Sequence, residues 1–562
     1  MPTPSDPSPT LAAPADSAAP TTPLPEPGLA RQTSKGLLWV LTNVVLGKGI
    51  AFAAFVVLGL ALSKDDFGIY ASAFALASFA QAFRDGGVTF LIPQRGEAEF
   101  PRIAGPIFWM AAACNLAVGA FLAAIAIPAS VYFQDHRVAW ILWIIALSVP
   151  LTTPATVFTA VLQMRLKFDS VSRISICSAL TRNLGIIILA IAGVGPLSFV
   201  IPLLGVAAIE GVMGYRAARE RPWTHRPDLR AWPDLFRASR WLILTMGAAI
   251  AVNQGAYLAL GMVAPSRVVG AFFFAYQLVL QLDNVLNYPV HFVLFGAFSS
   301  IKENAKRQMA AAVRAARALS LLAAPATVGL AVVADPFERL IWAGKWAESV
   351  FAIQVIALAC TWRIVFAIPN AAAQSRGLWR FQAVIMIGGG IVTIGAVLLG
   401  ALINPDTDTA GFAMALATLL GIGGLYTIGM HKLGIPPRNA IGAVMRCWLI
   451  AIIAAGITAA AQHLAQGWLQ SLALVTSGLG SRIGGEIAAL LSLTDPARAA
   501  VQARMAISTQ AAVELLLLGA AFTKLFLVGL RLGAPGTVRD ALSLAPARIR
   551  PILERLLIIR AA

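Results

Sequence analysis

Apolar residues in this chain come in long unbroken runs, not in the alternation of a strand or the one-sided stripe of a surface helix. Fourteen runs stand out, at about 37–62, 69–92, 104–130, 138–162, 174–194, 196–215, 241–262, 268–295, 318–334, 349–373, 382–403, 409–430, 440–465 and 508–530. Each is close to, or longer than, the roughly 20 residues that an α-helix needs to cross a bilayer. The pattern predicts an all-α polytopic membrane protein of about fourteen transmembrane helices. Prolines inside several runs (Pro150, Pro154, Pro202, Pro289, Pro325 and Pro369) fit such helices, because neighbouring helices can satisfy the freed backbone groups.

Composition narrows the class. The chain is 58% hydrophobic and 12% charged, about half the roughly 25% charge content of a soluble domain. That excludes a soluble multi-domain enzyme and a single-span receptor. Nine of the first thirty residues are proline and most others are Ala, Ser or Thr. Such a segment buries too little apolar surface to offset its ordering entropy, so 1–30 is expected to be a disordered tail and not a signal peptide. Cys114, Cys177, Cys360 and Cys447 all fall inside apolar runs with no CxxC pair. They read as small buried side chains, and neither a metal site nor a cofactor is expected.

The net charge of +17 invites a nucleic-acid reading, which its distribution removes. With the N-terminus in the cytoplasm, 29 of the 43 Lys and Arg residues fall in cytoplasmic segments and 8 outside, while acidic residues divide almost evenly. This is the positive-inside pattern, and it fits an even number of spans with both termini cytoplasmic. The clearest basic loop carries Arg216, Arg219, Arg221, Arg226, Arg230, Arg237 and Arg240. It reads chiefly as a topology anchor, with contact to anionic lipid head groups or a cytoplasmic partner as the alternative. Almost all loops are short. The exception, about 466–507 and outside, holds a weakly amphipathic stretch. It is followed by Asp495-Pro496, which reads as an N-cap and first helical position able to run on into the last span.

A shift of 202 residues superimposes the two halves of the chain. Gly68-Ile69-Tyr70 falls on Gly270-Ala271-Phe272, Phe74 on Tyr276, Asp85 on Asn287 and Phe90 on Phe292. Six spans per half preserves orientation, so the halves are expected to be parallel repeats about an axis along the membrane normal, enclosing a central cavity. The chain is expected to divide into the tail over 1–30, a first lobe over 31–216, a basic cytoplasmic linker over 217–240 and a second lobe over 241–430. Two further spans over 431–530 enclose the outside loop, and a basic cytoplasmic tail covers 531–562.

Leu62-Ser63-Lys64-Asp65-Asp66-Phe67-Gly68-Ile69-Tyr70, Phe83-Arg84-Asp85-Gly86-Gly87 with Gln94, Val269-Gly270-Ala271-Phe272 with Tyr276, Trp342-Ala343-Gly344-Lys345-Trp346, and Gln374 to Gly377 form one recurring set. Over roughly 33–430 the chain resembles the bacterial oligosaccharide flippases, the polysaccharide-transporter (Wzx-type) branch of the MOP superfamily. The resemblance implies two six-helix bundles around a central cavity, with two C-terminal helices added. It also implies movement of a polyprenyl-pyrophosphate-linked oligosaccharide across the bacterial inner membrane, with glycosyltransferases and a polysaccharide polymerase as candidate partners. The long loop and the Pro-rich tail lie outside the usual pattern.

A pyrophosphate bearing a polar glycan needs a wet, positively charged path, and ionisable groups within spans are expensive enough to be functional candidates. Lys48, Arg84, Arg182 and Arg363 are expected to supply cavity charge, and Asn253, Gln254 and Asn287 its hydrogen-bonding groups. Asp283, with Asp85 and His291, is the candidate coupling group: a proton or sodium site, or the counter-ion of Arg84 or Lys48. Two other classes compete. A drug or cation exporter of the same fold would favour acids in the cavity, whereas six bases face four acids within these spans. A membrane glycosyltransferase or polymerase would carry larger outside loops bearing acids or histidine, and 466–507 has only Glu486 and Asp495 as acids and no histidine.

Overall fold

The computed structural model describes residues 47–534, apart from 82, 85–91, 93–96, 98, 226, 302, 433, 435–436 and 491–493. Among the described residues the secondary structure is helical throughout, without a strand. Eleven helices are long and apolar enough to cross a membrane, and a bent pair makes a twelfth. Two of the expected fourteen spans fall short of that measure: α1 (Gly47–Ala61) is short, and α2 (Lys64–Gln81) begins with three charged residues.

The rest of the first half comprises α3 (Phe100–Tyr132), α4 (His136–Leu151), α5 (Thr153–Met164), α6 (Phe168–Ile191) and α7 (Ile201–Ala218). The α4–α5 pair bends by 45° where Pro150 and Pro154 flank Thr152, because each proline removes a backbone donor and crowds the preceding turn. The basic linker is partly helical. It holds two short 3₁₀ turns, and α8 (Trp232–Gly261) starts within it.

The second half continues with α9 (Ser266–Ser300), α10 (Ala305–Trp342), α11 (Val350–Val365), α12 (Ala367–Ser375), α13 (Trp379–Ile403), α14 (Thr407–Leu416) and α15 (Gly423–Lys432), the last two joined by a π-helical turn over Ala417–Ile422. At 38 residues α10 is far longer than its apolar run at 318–334, because Lys306, Arg307, Arg314, Arg317, Asp335, Glu338 and Arg339 interrupt hydropathy without interrupting the helix. The turns at 62–63, 262–265 and 343–346 gather at one end of the bundle. This is called the outer end, after the orientation expected from charge.

At that end α2 and α9 cross reciprocally. A β-carbon on Gly68 would overlap the Ser266 carbonyl oxygen, and one on Gly270 would overlap that of Lys64. Residues 68 and 270, like 64 and 266, are 202 apart, so the crossing has the two-fold relation that the repeat implies.

The segment at 466–507 is not a loop. After α16 (Pro437–Leu464) come α17 (Gln466–Leu490) and α18 (Asp495–Gly533). The helix does start at Asp495-Pro496, as the sequence implies, although Thr494 is the capping position and Pro496 follows within the first turn. Gly480 of α17 lies against Met505 and Thr509, and Gly484 against Gln502, so α17 and the first half of α18 form an antiparallel hairpin. The cause is small-residue packing: glycines four apart let two backbones approach closely. At 39 residues and 1.5 Å per residue, α18 is about 58 Å long, well beyond the roughly 30 Å hydrocarbon core. Ser508 Oγ donates to Leu340 O at 3.3 Å near the outer end of α10. The thirteen or so residues before Ser508 therefore project past the bundle.

Candidate substrate-handling site

The central feature is a buried polar cluster on three helices of the second half. Arg363 on α11 donates through Nε to Asp283 Oδ2 at 3.0 Å, through Nη1 to Tyr276 Oη at 2.9 Å, and through Nη2 to Asn253 Oδ1 at 2.5 Å. Asp283 is also approached by Asn287 Nδ2, at 3.4 Å. Tyr276, Asp283 and Asn287 share a face of α9 because they are spaced seven and four residues apart, about two turns and one turn. The side chains of Arg363 and Asp283 are 15% and 6% exposed, so the ion pair is withdrawn from solvent. Arg363 spends its planar fork on three acceptors from two other helices, which fixes its orientation as a point charge would not.

The first half brings its own charges toward this cluster. Lys48 on α1 lies within the electrostatic reach of both Arg182 and Asp283. Arg182 on α6 is exposed and also acts on Tyr70 of α2. Six of the ten residues singled out from sequence thus share one electrostatic neighbourhood: Lys48, Arg182, Asn253, Asp283, Asn287 and Arg363. The other four do not join it among the described residues. Arg84 sits in a 3₁₀ turn beyond the end of α2, and Asp85 lies outside the described residues. Gln254 Oε1 is a buried acceptor, and His291 Nε2 a buried ring nitrogen, each without a hydrogen-bond partner among the described residues.

Asp283 therefore differs from the open carboxylate that sequence suggests. Its counter-ion is Arg363, not Lys48 or Arg84, and the pairing leaves Lys48 and Arg182 as the less committed positive charges. Sequence reasoning also misses the part played by Tyr276, which reads there only as a motif position. The spacing of seven from Asp283 is the available signal.

The two halves meet in an aromatic seal at the outer end. Phe55, Phe67, Phe274, Trp342 and Trp346 pack there, with Phe274 stacked on Trp346 at 4.0 Å and on Phe55 at 5.1 Å. The Trp342-Ala343-Gly344-Lys345-Trp346 turn then seals α1. Trp342 Nε1 donates to Val56 O, Trp346 Nε1 to Gly59 O at 3.0 Å, and Lys345 Nζ to Leu60 O and Leu62 O at 2.9 and 2.7 Å. Those of Gly59, Leu60 and Leu62 are carbonyls at the helix end, here capped from the other half of the chain. A polar rim adds Ser266 Oγ donating to Asp65 and Glu348 bridging Lys64 and Arg267.

Two repeated halves, a buried ion pair in the second with charges of the first near it, and a seal at one end define a helical membrane protein of the transporter type. The fold matches a solved lipid II flippase, MurJ, in an inward closed conformation. The TM-score is 0.63 at 12% identity, covering 88% of this chain and 99% of that one. It also matches an inward-facing multidrug transporter of the MATE family within the MOP superfamily (TM-score 0.56, 11% identity, 69% and 94% covered). A model of a polysaccharide biosynthesis protein family matches residues 57–351, and the chain belongs to that family. Among curated relatives, the teichuronic acid biosynthesis protein TuaB of Bacillus subtilis is 22% identical over 78% of this chain and 91% of its own length. The succinoglycan biosynthesis transport protein ExoT of Rhizobium meliloti is 24% identical over 58% and 66%. The lipopolysaccharide biosynthesis protein WzxC of Escherichia coli is 21% identical over 58% and 67%.

Proposed function

We propose that this protein flips a polyprenyl-pyrophosphate-linked oligosaccharide from the cytoplasmic to the outer leaflet of the bacterial inner membrane by alternating access, for surface polysaccharide assembly. The observation that carries the reading is the charge arrangement between the halves. Asp283 is already neutralised by Arg363, while Lys48 and Arg182 add positive charge beside them. An anionic pyrophosphate suits that balance. The drug or cation exporter of the same fold is the alternative, and it would need a free acid where this chain has a paired one. The family and the named relatives support a transport role over a glycosyltransferase or polymerase.

In this reading Lys48 and Arg182 meet the pyrophosphate, and the amides of Asn253 and Asn287 reorganise as Arg363 exchanges partners. The outer seal must then part for the glycan to leave. Each net negative charge moved outward gains about 2.3 kcal/mol per 100 mV of inside-negative potential, a bias toward export that needs no coupling ion. The test is flipping of a fluorescent lipid-pyrophosphate oligosaccharide in proteoliposomes. Transport that rises with an imposed potential and falls in Lys48→Ala supports the proposal. Transport of cationic dyes in place of the glycolipid would support the exporter.

A further inference from the structure

A second polar site lies on α16, α17 and α18, none of which contributes to the Arg363 cluster. A cavity of about 400 Å³ opens there, lined by Gln462, His463, Gln470, Gln510 and Glu514 among small apolar residues. That is within the size range of small-molecule sites. Its depth is set by Arg339, whose Nη2 bonds Glu514 Oε2 at 2.6 Å and Asp335 Oδ2 at 2.5 Å one turn inside the outer end of α10. Trp468, exposed on α17 beside the lining, is the kind of side chain that sits at the membrane–water interface. At that interfacial depth three glutamines and a histidine line one open cleft.

The lining selects the ligand. Arg339 Nη2 serves two carboxylates here and Gln510 Nε2 bonds Glu514 Oε1 at 3.1 Å, while Arg339 itself is not part of the cleft lining, so the lining carries a carboxylate and no guanidinium for a phosphate. The rest of the polar lining is His463 and three primary amides, each amide with donors and an acceptor side by side. That pairing complements sugar hydroxyls, which donate and accept together. We infer that this cleft is a second, exit-side binding site for the neutral, hydroxyl-rich sugar units of the transported glycan. The inference rests on the flippase reading, because that reading delivers a glycan to this end of the molecule.

The full chain in lipid nanodiscs is tested by saturation-transfer NMR with maltotriose and chitotriose, and with phosphoethanolamine and inorganic pyrophosphate as rival ligands. Transfer to the trisaccharides is expected, weakened about five-fold by Gln470→Leu or Gln510→Leu, the loss of roughly one hydrogen bond. Gln470 is exposed, so its leucine variant should keep the parent melting temperature. Lys48→Ala, which should keep the parent melting temperature, should leave the sugar signal intact while flipping falls. No transfer to either sugar, equal transfer in the leucine variants, or displacement by phosphoethanolamine overturns the site. Absence of glycolipid flipping by the parent chain in proteoliposomes would instead overturn the flippase reading, leaving the sugar signal to be judged by itself.

Discussion

Arg363 and Asp283, 80 residues apart in the chain, meet at 3.0 Å in the middle of the second half, and the arginine fork reaches Tyr276 and Asn253 from the same position. A buried pair of this kind is unforgiving of one-sided change. Arg363→Ala or Asp283→Asn leaves an uncompensated charge and should destabilise the protein by about 3–5 kcal/mol, read as a lowered melting temperature in detergent. The double variant Arg363→Met with Asp283→Leu should melt close to the parent yet fail to export glycan. A double variant as unstable as the singles would show that the pair is not an isolated unit.

Lys48 and Arg182 should behave in the opposite way. Both are accessible, and Arg182 is exposed, so Lys48→Ala and Arg182→Ala should leave protein level and melting temperature unchanged while surface polysaccharide falls sharply. Lys48→Arg should retain part of the activity, since charge is kept and only shape changes. Full export by both alanine variants would remove these side chains from the transport path.

The outer seal predicts a shift in population. Trp346→Phe keeps an aromatic ring against Phe274 but removes the bond to Gly59 O. One such bond is worth about 1 kcal/mol, or roughly a five-fold rise in the outward-open fraction. Spin labels at Gln134 and Ala347, both exposed near the outer end, should report a longer distance component in that variant and in Lys345→Met. An unchanged distance distribution would mean that these bonds do not hold the seal.

The helical hairpin and the basic linker should label from opposite sides. A cysteine at Arg498, exposed on the projecting part of α18, should react with an impermeant maleimide added outside intact cells, and a cysteine at Arg230 only after permeabilisation. Labelling of both from one side would contradict the charge-based orientation and the even number of spans.

Much of this architecture is legible in the chain itself. Long apolar runs locate the spans, and the 202-residue shift finds the repeat, whose Gly68 and Gly270 meet at one crossing. Asp283 and Arg363 both stand out by their depth. Their partnership does not, because hydropathy says how deep a side chain lies and nothing about which way its helix is rotated. The hairpin escapes the hydropathy pattern for a related reason. Arg482, Glu486 and Arg498 lower the apolar content of 466–507 below that of a span, and a helix that leaves the membrane has no need of one. The spacing Gly480-x-x-x-Gly484 is the sign in the sequence of a helix packed against another helix.

The reciprocal crossing of Gly68 and Gly270 ties together the histories of two segments that arose as copies. Each glycine leaves room for the backbone of the other copy, so neither can acquire a side chain unless its counterpart helix retreats. Elsewhere the two halves differ freely, as Asp85 against Asn287 illustrates. At this crossing a change in either segment is felt by both, and the two-fold relation is held by steric necessity.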